Sequence, residues 1–280
     1  MGKPTNAPVE QDTLDRAPEE QGDRDFVTAL ARGLRILQVF RSGEERLSNA
    51  ELAHRCQLPR STVARLTRTL TAVGFLHQVE GFGRYRLGLA TLTLGRSMLS
   101  KLDFRDANGE LLQQLANESG AMVALGIRED LSVLYIDTHR SQSTAVTLNL
   151  GIGSRLPLLT TAMGRTHILM MDGTEREAVL ERLKALSLSS EVSVEDVIHQ
   201  ARMDMEKWKC VTSFGEWRHE INGIAVPLEI GDRLNRVVVN VAAPTRAVTS
   251  EQFLTEIRPR LLAVKHRIEM DHRRTRVSVS

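Results

Sequence analysis

Arg60, Ser61, Thr62, Arg65 and Arg68 crowd into the stretch "LPRSTVARLTR", and Arg84 and Arg86 follow in "GFGRYRLG". Guanidinium groups are planar, permanently charged forks that can bond phosphates and guanine edges two hydrogen bonds at a time, and hydroxyls add single bonds to phosphate oxygens. Between Asp25 and Leu87 there are ten Arg, no Lys and five Asp or Glu, although the whole chain carries only +2. The chemistry on offer is nucleic-acid contact. A charge run is also what an ordinary solvated face carries, so the elements that hold these side chains must decide.

Those elements are legible from periodicity. In "FVTALARGLRILQVF", Val27, Leu30, Leu34, Leu37 and Phe40 share one helical face, which predicts a first helix packed through that face. In "SNAELAHRC", Ser48 and Glu51 form a capping box that starts a second helix with Leu52 and Ala53 inward. Pro59 suits the first turn of a third helix, and Gly74 suits its stop. Along that helix Val63, Leu66, Leu70 and Val73 form one stripe, while Ser61, Arg65 and Arg68 fall on the opposite side. "FLHQVE" and "RYRLG" then flank "GFG", predicting a hairpin tipped by Phe82 whose returning strand carries Arg84 and Arg86. Residues 25–88 are thus predicted to form a winged helix-turn-helix, with the third helix in a DNA major groove and the wing along the backbone. A three-helix bundle with an incidental basic surface explains the core stripe equally well. It does not explain arginines on both the third helix and the wing.

The rest of the chain narrows the class. At 280 residues and 41% apolar it has room for two domains with separate cores. Residues 1–24, rich in Pro, Glu, Asp and Gln, predict a disordered tail. They lack the apolar core of a signal peptide, and no apolar run approaches the ~18 residues of a membrane span, so the expected location is the cytoplasm, with no membrane partner. Cys56 and Cys210 stand apart without metal-ligand spacing, and they predict buried hydrophobes, neither a disulfide nor a zinc site. No cofactor or metal is expected.

"LATLTLGRSMLSKL" predicts a linker helix over 89–102, with Leu92, Gly95, Met98, Leu99 and Leu102 at three- and four-residue spacing. It either packs on its own domain or joins two copies. Beyond it, "FRDANGELLQQLANESG" predicts a helix, "AMVALGI" and "SVLYIDT" a strand pair, and "TAVTLNL" a third strand. A Gly/Pro-containing loop then leads to a helix beginning near Thr160 or Thr161. Two further helices, three strands ("CVTSF", "GIAVPLEI", "VVVNVAAP") and a closing helix opened by a Thr249–Gln252 capping box follow. Residues 273–280 are expected as a tail. The pattern predicts an α+β chain whose second domain, residues 103–272, is an α/β domain built on an antiparallel sheet.

"FVTALARGLRILQVF", "LPRSTVARL", "GFGRYRLG", "LPLLTTAMGR" and "EINGIAVPL", in that order and spacing, resemble the IclR family of bacterial transcriptional regulators from about Phe26 to His272. The resemblance implies a winged helix-turn-helix, a linker helix and a GAF-like effector domain that binds a small metabolite, in a homodimer or dimer of dimers on an operator. Carried over by position, it implies an effector site made by Ala145, Leu148, Thr160, Thr161, Ala162, Met163, Ser213, Ile221, Gly223, Asn240 and Ala242. Many family members carry Cys where this chain has Gly223, and some carry hydroxyls where it has Asn240 and Ala242. That difference implies an acid larger than a two- or three-carbon keto acid. A helix N-terminus at Thr160 and Thr161 is a physical reason to expect a carboxylate.

Two other classes remain open at this point. The second domain could only oligomerise, or it could be a DNA-tethered enzyme. Against the enzyme, the eight His are scattered and no HxxxH, GxSxG or phosphate-loop pattern occurs. The methionines, Trp208 and Trp217 read by default as packing residues, and only Met163 gains a further role from the resemblance.

Overall fold

A computed structural model describes residues 25–40, 46–79, 83–99, 104–142, 148, 150–186, 193–230 and 236–279. The predicted N-terminal tail, the wing tip with Phe82, linker position Leu102, position Ala145 and most of the predicted strand "TAVTLNL" lie outside the described residues. The chain divides into two compact units between Asp103 and Phe104.

The N-terminal unit runs α1 (Thr28–Gln38), β1 (Leu47–Ser48), α2 (Asn49–Cys56), α3 (Arg60–Ala72), β2 (Leu76–Val79), β3 (Arg84–Leu87) and α4 (Leu89–Leu99). The capping box forms as predicted: the Glu51 N–H donates to Ser48 Oγ at 3.2 Å, and the Ser48 N–H donates to the Glu51 carboxylate at 2.8 Å. Gln57 closes α2 in the left-handed region, at φ +56°. At the end of α3, Gly74 takes φ +80°, its N–H donates to the Thr71 carbonyl, and the Phe75 N–H donates to the Leu70 carbonyl at 2.9 Å. These paired bonds satisfy the last turn and aim the chain into the hairpin. The short β1, which periodicity did not predict, pairs with β3, so the small sheet has order β1-β3-β2.

One expectation fails. Of α1, Gly33 and Ile36 are buried, while Val27, Leu30 and Leu34 are 62%, 61% and 50% exposed. Only Leu37 and Phe40 of the predicted stripe pack against the core of Leu47, Leu52, Cys56, Val63 and Tyr85. The helix carries two apolar sectors, and the Ile36 sector is the one that faces α3, where Leu66 lies 3.9 Å from the position a Gly33 Cβ would take. Val73 also ends exposed, at 56%, while Thr67 takes a core position with its hydroxyl 3.1 Å from Asn49 Oδ1.

The C-terminal unit contains α5 (Phe104–Ser119), β4 (Met122–Glu129), β5 (Ser132–Arg140), β6 (Arg155–Pro157), α6 (Ala162–Met170), α7 (Gly173–Leu186), α8 (Val194–Trp208), β7 (Val211–Phe214), β8 (Ile221–Leu228), β9 (Val237–Pro244), α9 (Ser250–Gln252), a π-helical turn (Phe253–Ile257) and α10 (Arg258–Val279). Its six-stranded sheet is antiparallel throughout, in the order β6-β5-β4-β9-β8-β7. One face carries Met122, Ala124, Tyr135, Ala225, Val238 and Ala242 beneath α6, α7 and α8. Alternate strand residues turn the other way, toward α5 and α10. The closing capping box forms, with the Gln252 N–H donating to Thr249 Oγ1 at 3.2 Å and the Thr249 N–H donating to Gln252 Oε1 at 3.0 Å. Two expectations are corrected: β6 stands where a loop was predicted, and α10 stays helical through Val279, beyond the tail boundary expected at residue 273.

Candidate functional site

On α3, Arg60, Ser61, Arg65 and Arg68 are exposed and Thr62 is half-buried, while Val63 and Thr67 turn into the core. The residue before α3 is Pro59, whose side chain supplies no cap, so the first N–H groups of the helix face outward with their partial positive charge. On β3 the two-residue period sends Tyr85 inward and leaves Arg84 and Arg86 exposed. The two wing arginines differ. Arg84 donates to the Arg46 carbonyl at 3.4 Å and stands 3.9 Å from the Glu51 carboxylate, so it also ties the wing to the start of α2. The Ser48 hydroxyl and backbone N–H, with Arg84 adding a smaller pull, hold the Glu51 carboxyl below its usual range.

In the C-terminal unit the sheet register brings predicted residues together. Ser213 pairs with Gly223, and Gly223 with Ala242, in one row across β7, β8 and β9. Two residues along, Asn240 stands between Ala225 and Ala124 on the same face. This side of the sheet is therefore floored by small side chains beneath α6. A Cβ on Gly223 would sit 3.3 Å from the Val241 carbonyl and 3.5 Å from Asn240 Oδ1, and no unusual φ demands glycine there. Asn240 Nδ2 lies 3.4 Å from the Tyr135 hydroxyl, both buried, and burial pushes the Tyr135 phenol well above its ordinary pKa.

Above this floor, Thr161 caps α6. Its Oγ1 accepts from the Gly164 N–H at 3.0 Å and donates to the Pro157 carbonyl at 2.7 Å. The Arg165 N–H already makes the first helical bond, to the Thr161 carbonyl. The N–H groups of Ala162 and Met163 come before these two and precede the helical ladder. Thr160 is half-buried, and its carbonyl accepts from Ser213 Oγ at 2.9 Å, joining the helix start to the floor. Leu148, Ala162, Met163, Ile221 and Ala242 belong to one buried cluster. Gly164 is required by close approach: a Cβ would run into the backbone of Leu158.

Two buried ionic residues escaped sequence reading. Arg165, 3% exposed, donates to the Leu159 carbonyl at 2.7 Å, the Thr212 carbonyl at 3.4 Å and the Glu216 carboxylate at 2.5 Å. Buried Asp204 accepts from the Thr212 N–H and hydroxyl, at 3.0 and 2.6 Å. The backbone groups of Thr212 on edge strand β7 are thus occupied by two buried ionic side chains, which blunts an edge that could otherwise pair with another chain. His167 is buried, with Nε2 3.2 Å from the Gly126 carbonyl. Neither Arg165 nor Asp204 has a sequence signal, because charged residues are assigned by default to the surface. Among the described residues no group of three or more His, Cys, Asp or Glu is placed to hold a metal, and no helix is long and apolar enough to cross a membrane.

Comparison with known proteins matches both units. Residues 29–80 match the IclR helix-turn-helix domain, and residues 96–269 match the bacterial transcriptional regulator IclR C-terminal domain. The Pca regulon regulatory protein of Pseudomonas putida is 31% identical over 248 residues, covering 86% of this chain and 83% of that one. The crystal structure of an IclR family regulator from Brucella abortus superposes with a TM-score of 0.78 at 36% identity, covering 95% of this chain and 99% of that one. An IclR homolog from Microbacterium hydrocarbonoxydans, solved in complex with 4-hydroxybenzoate, shares the fold at a TM-score of 0.69 and 21% identity, over 88% of this chain and 99% of that one. The matched families are those of DNA-binding regulators and not of enzymes. The chain belongs to the IclR family of bacterial transcriptional regulators.

Proposed function

We propose that this regulator binds a pseudo-palindromic double-stranded DNA operator as a two-fold homodimer or dimer of dimers in the cytoplasm, and that a small carboxylate from a catabolic pathway controls it. Arg60, Ser61, Thr62, Arg65 and Arg68 meet bases and phosphates in the major groove, while Arg84 and Arg86 hold the flanking backbone. The observation that carries this reading is the division of α3, with Arg65 and Arg68 exposed and Val63 and Thr67 buried.

A single recognition helix reads only a few base pairs, so two are needed. The surface offered for pairing is apolar. Leu89, Leu92, Leu94 and Met98 on α4 are 83%, 69%, 59% and 44% exposed, and Val27, Leu30 and Leu34 add a second apolar stripe on α1. Patches of this kind on a soluble chain mark association surfaces.

The carboxylate sits at the start of α6, against Thr160, Thr161, Ala162 and Met163, where helix N–H groups and the helix dipole favour an anion. Its body extends over Ser213, Gly223, Asn240 and Ala242, beside Leu148 and Ile221. Ala145 belongs to the same proposed site by resemblance. That a protein of this fold was captured with 4-hydroxybenzoate makes aromatic acids the first probes to try. The test is a melting-temperature screen of carboxylates on the full chain, followed by titration of the best acid against a duplex selected from a random-sequence pool. An acid that raises the melting temperature and changes duplex affinity supports the reading. A second domain that only oligomerises would respond to none.

A further inference from the structure

We propose that Trp217, on the segment joining β7 to β8, is the aromatic wall of the effector site and selects acids that carry a planar ring. The inference rests on the effector site proposed above. Trp217 is half-buried and packs against the core cluster that contains Leu148, Ala162, Met163, Ile221 and Ala242. The Arg218 guanidinium carbon lies over the indole, 4.5 Å from the ring centroid. That cation covers one face of the ring.

The segment that carries Trp217 is fastened at three points. The Gly215 N–H donates to the Ile221 carbonyl at 3.0 Å, with Gly215 at φ +71°. The Ile221 N–H donates to the Arg218 carbonyl at 2.9 Å. Between these, the Glu216 carboxylate accepts from buried Arg165, whose Nε also donates to the Leu159 carbonyl in the loop that leads into α6. One guanidinium therefore holds both the segment with Trp217 and the loop proposed to receive the carboxylate. A ligand bridging the two would have its acid group and its body positioned by the same residue.

The neighbouring surface favours a flat body. The row Ser213, Gly223 and Ala242 carries only small side chains. Offset or edge-to-face contact with the indole adds attraction that a saturated ring of equal size does not receive.

The test uses the full chain, which has two tryptophans. Trp208→Phe leaves Trp217 as sole fluorophore. Benzoate, phenylacetate and 4-hydroxybenzoate are titrated beside cyclohexanecarboxylate, following melting temperature and emission. The expected result is that an aromatic acid raises the melting temperature and shifts Trp217 emission with one midpoint. Trp217→Leu should then weaken that acid roughly tenfold and change cyclohexanecarboxylate by less than about twofold, with a smaller selective loss in Glu216→Gln. Should Trp217→Leu fail to melt cooperatively, the emission titration decides alone. Acids that bind with no emission change, or saturated acids that bind as tightly as aromatic ones, overturn the role of Trp217 and leave the effector site standing. If no carboxylate binds at all, the effector reading falls, and the wall with it.

Discussion

The Met163 side chain fills the hollow left by Gly126: a Cβ at Gly126 would overlap the Met163 sulfur and a methyl of Val133. Met163 is 1% exposed, so a residue proposed to touch the effector is at the same time a core side chain. A charged residue at 163 would have to bury its charge without a partner, and loss of response in such a variant would report on folding.

The contact itself is testable. Gly126→Ala should lower stability by about 1–3 kcal/mol through overpacking, and should cost less in a chain that already carries Met163→Ala. The measurement is a double-mutant cycle by urea unfolding, with an expected coupling of about 0.5–3 kcal/mol. Strictly additive effects would mean that Gly126 is glycine for another reason.

His167 should make stability fall with acid. Burial, opposed by its bond to the Gly126 carbonyl and aided by Arg128 and Arg236, lowers its pKa from 6.5 to about 4. The unfolded chain therefore takes up the proton first as pH falls. Stability from this group is complete above about pH 6.5 and is lost progressively toward pH 4, on the order of 3 kcal/mol in total. Wild type should lose more stability between pH 7 and pH 4.5 than His167→Gln, which keeps a donor but does not titrate. Parallel pH profiles would contradict this.

For DNA, Arg65→Ala should cost roughly 1–3 kcal/mol and relax preference at one base position, as a lost base contact does. Arg86→Ala should weaken all sequences about equally and reduce the slope of log affinity against log salt by about one. Arg84→Ala should do the same and also lower the melting temperature slightly, because Arg84 braces the wing against Arg46 and Glu51. Binding curves for selected and random duplexes at several salt concentrations separate these cases. Unchanged affinity in all three variants would remove α3 and the wing from the interface.

For assembly, Leu92→Glu on α4 and Leu30→Glu on α1 should each lower the mass seen by sedimentation at micromolar concentration while the melting transition remains. Both residues are more than half exposed, so neither charge needs burial in a single chain. A wild-type chain that sediments as a monomer, and binds half-sites as well as paired sites, would refute the dimer.

The sequence by itself determined the local pieces. Ser48 with Glu51, Thr249 with Gln252, and Gly74 specify helix ends through bonds spanning three to five residues, and each forms as expected. Helical and strand periods put Arg65, Arg68, Arg84 and Arg86 outward for the same reason: side-chain direction follows from the backbone of one element. Tertiary structure decided what depends on partners far along the chain. Which apolar sector of α1 is buried depended on how α1 meets the rest of its unit, where Ile36 joins the core and Leu30 and Leu34 stay exposed. The row Ser213, Gly223 and Ala242 exists only through the register of three strands. Arg165 became a buried tie because Leu159, Thr212 and Glu216 converge on it, and no spacing within "TTAMGR" encodes those acceptors. Local geometry is set by covalent neighbours, whereas the burial of a charge or the make-up of a row across a sheet is set by which distant groups arrive to pair with it or pack beside it.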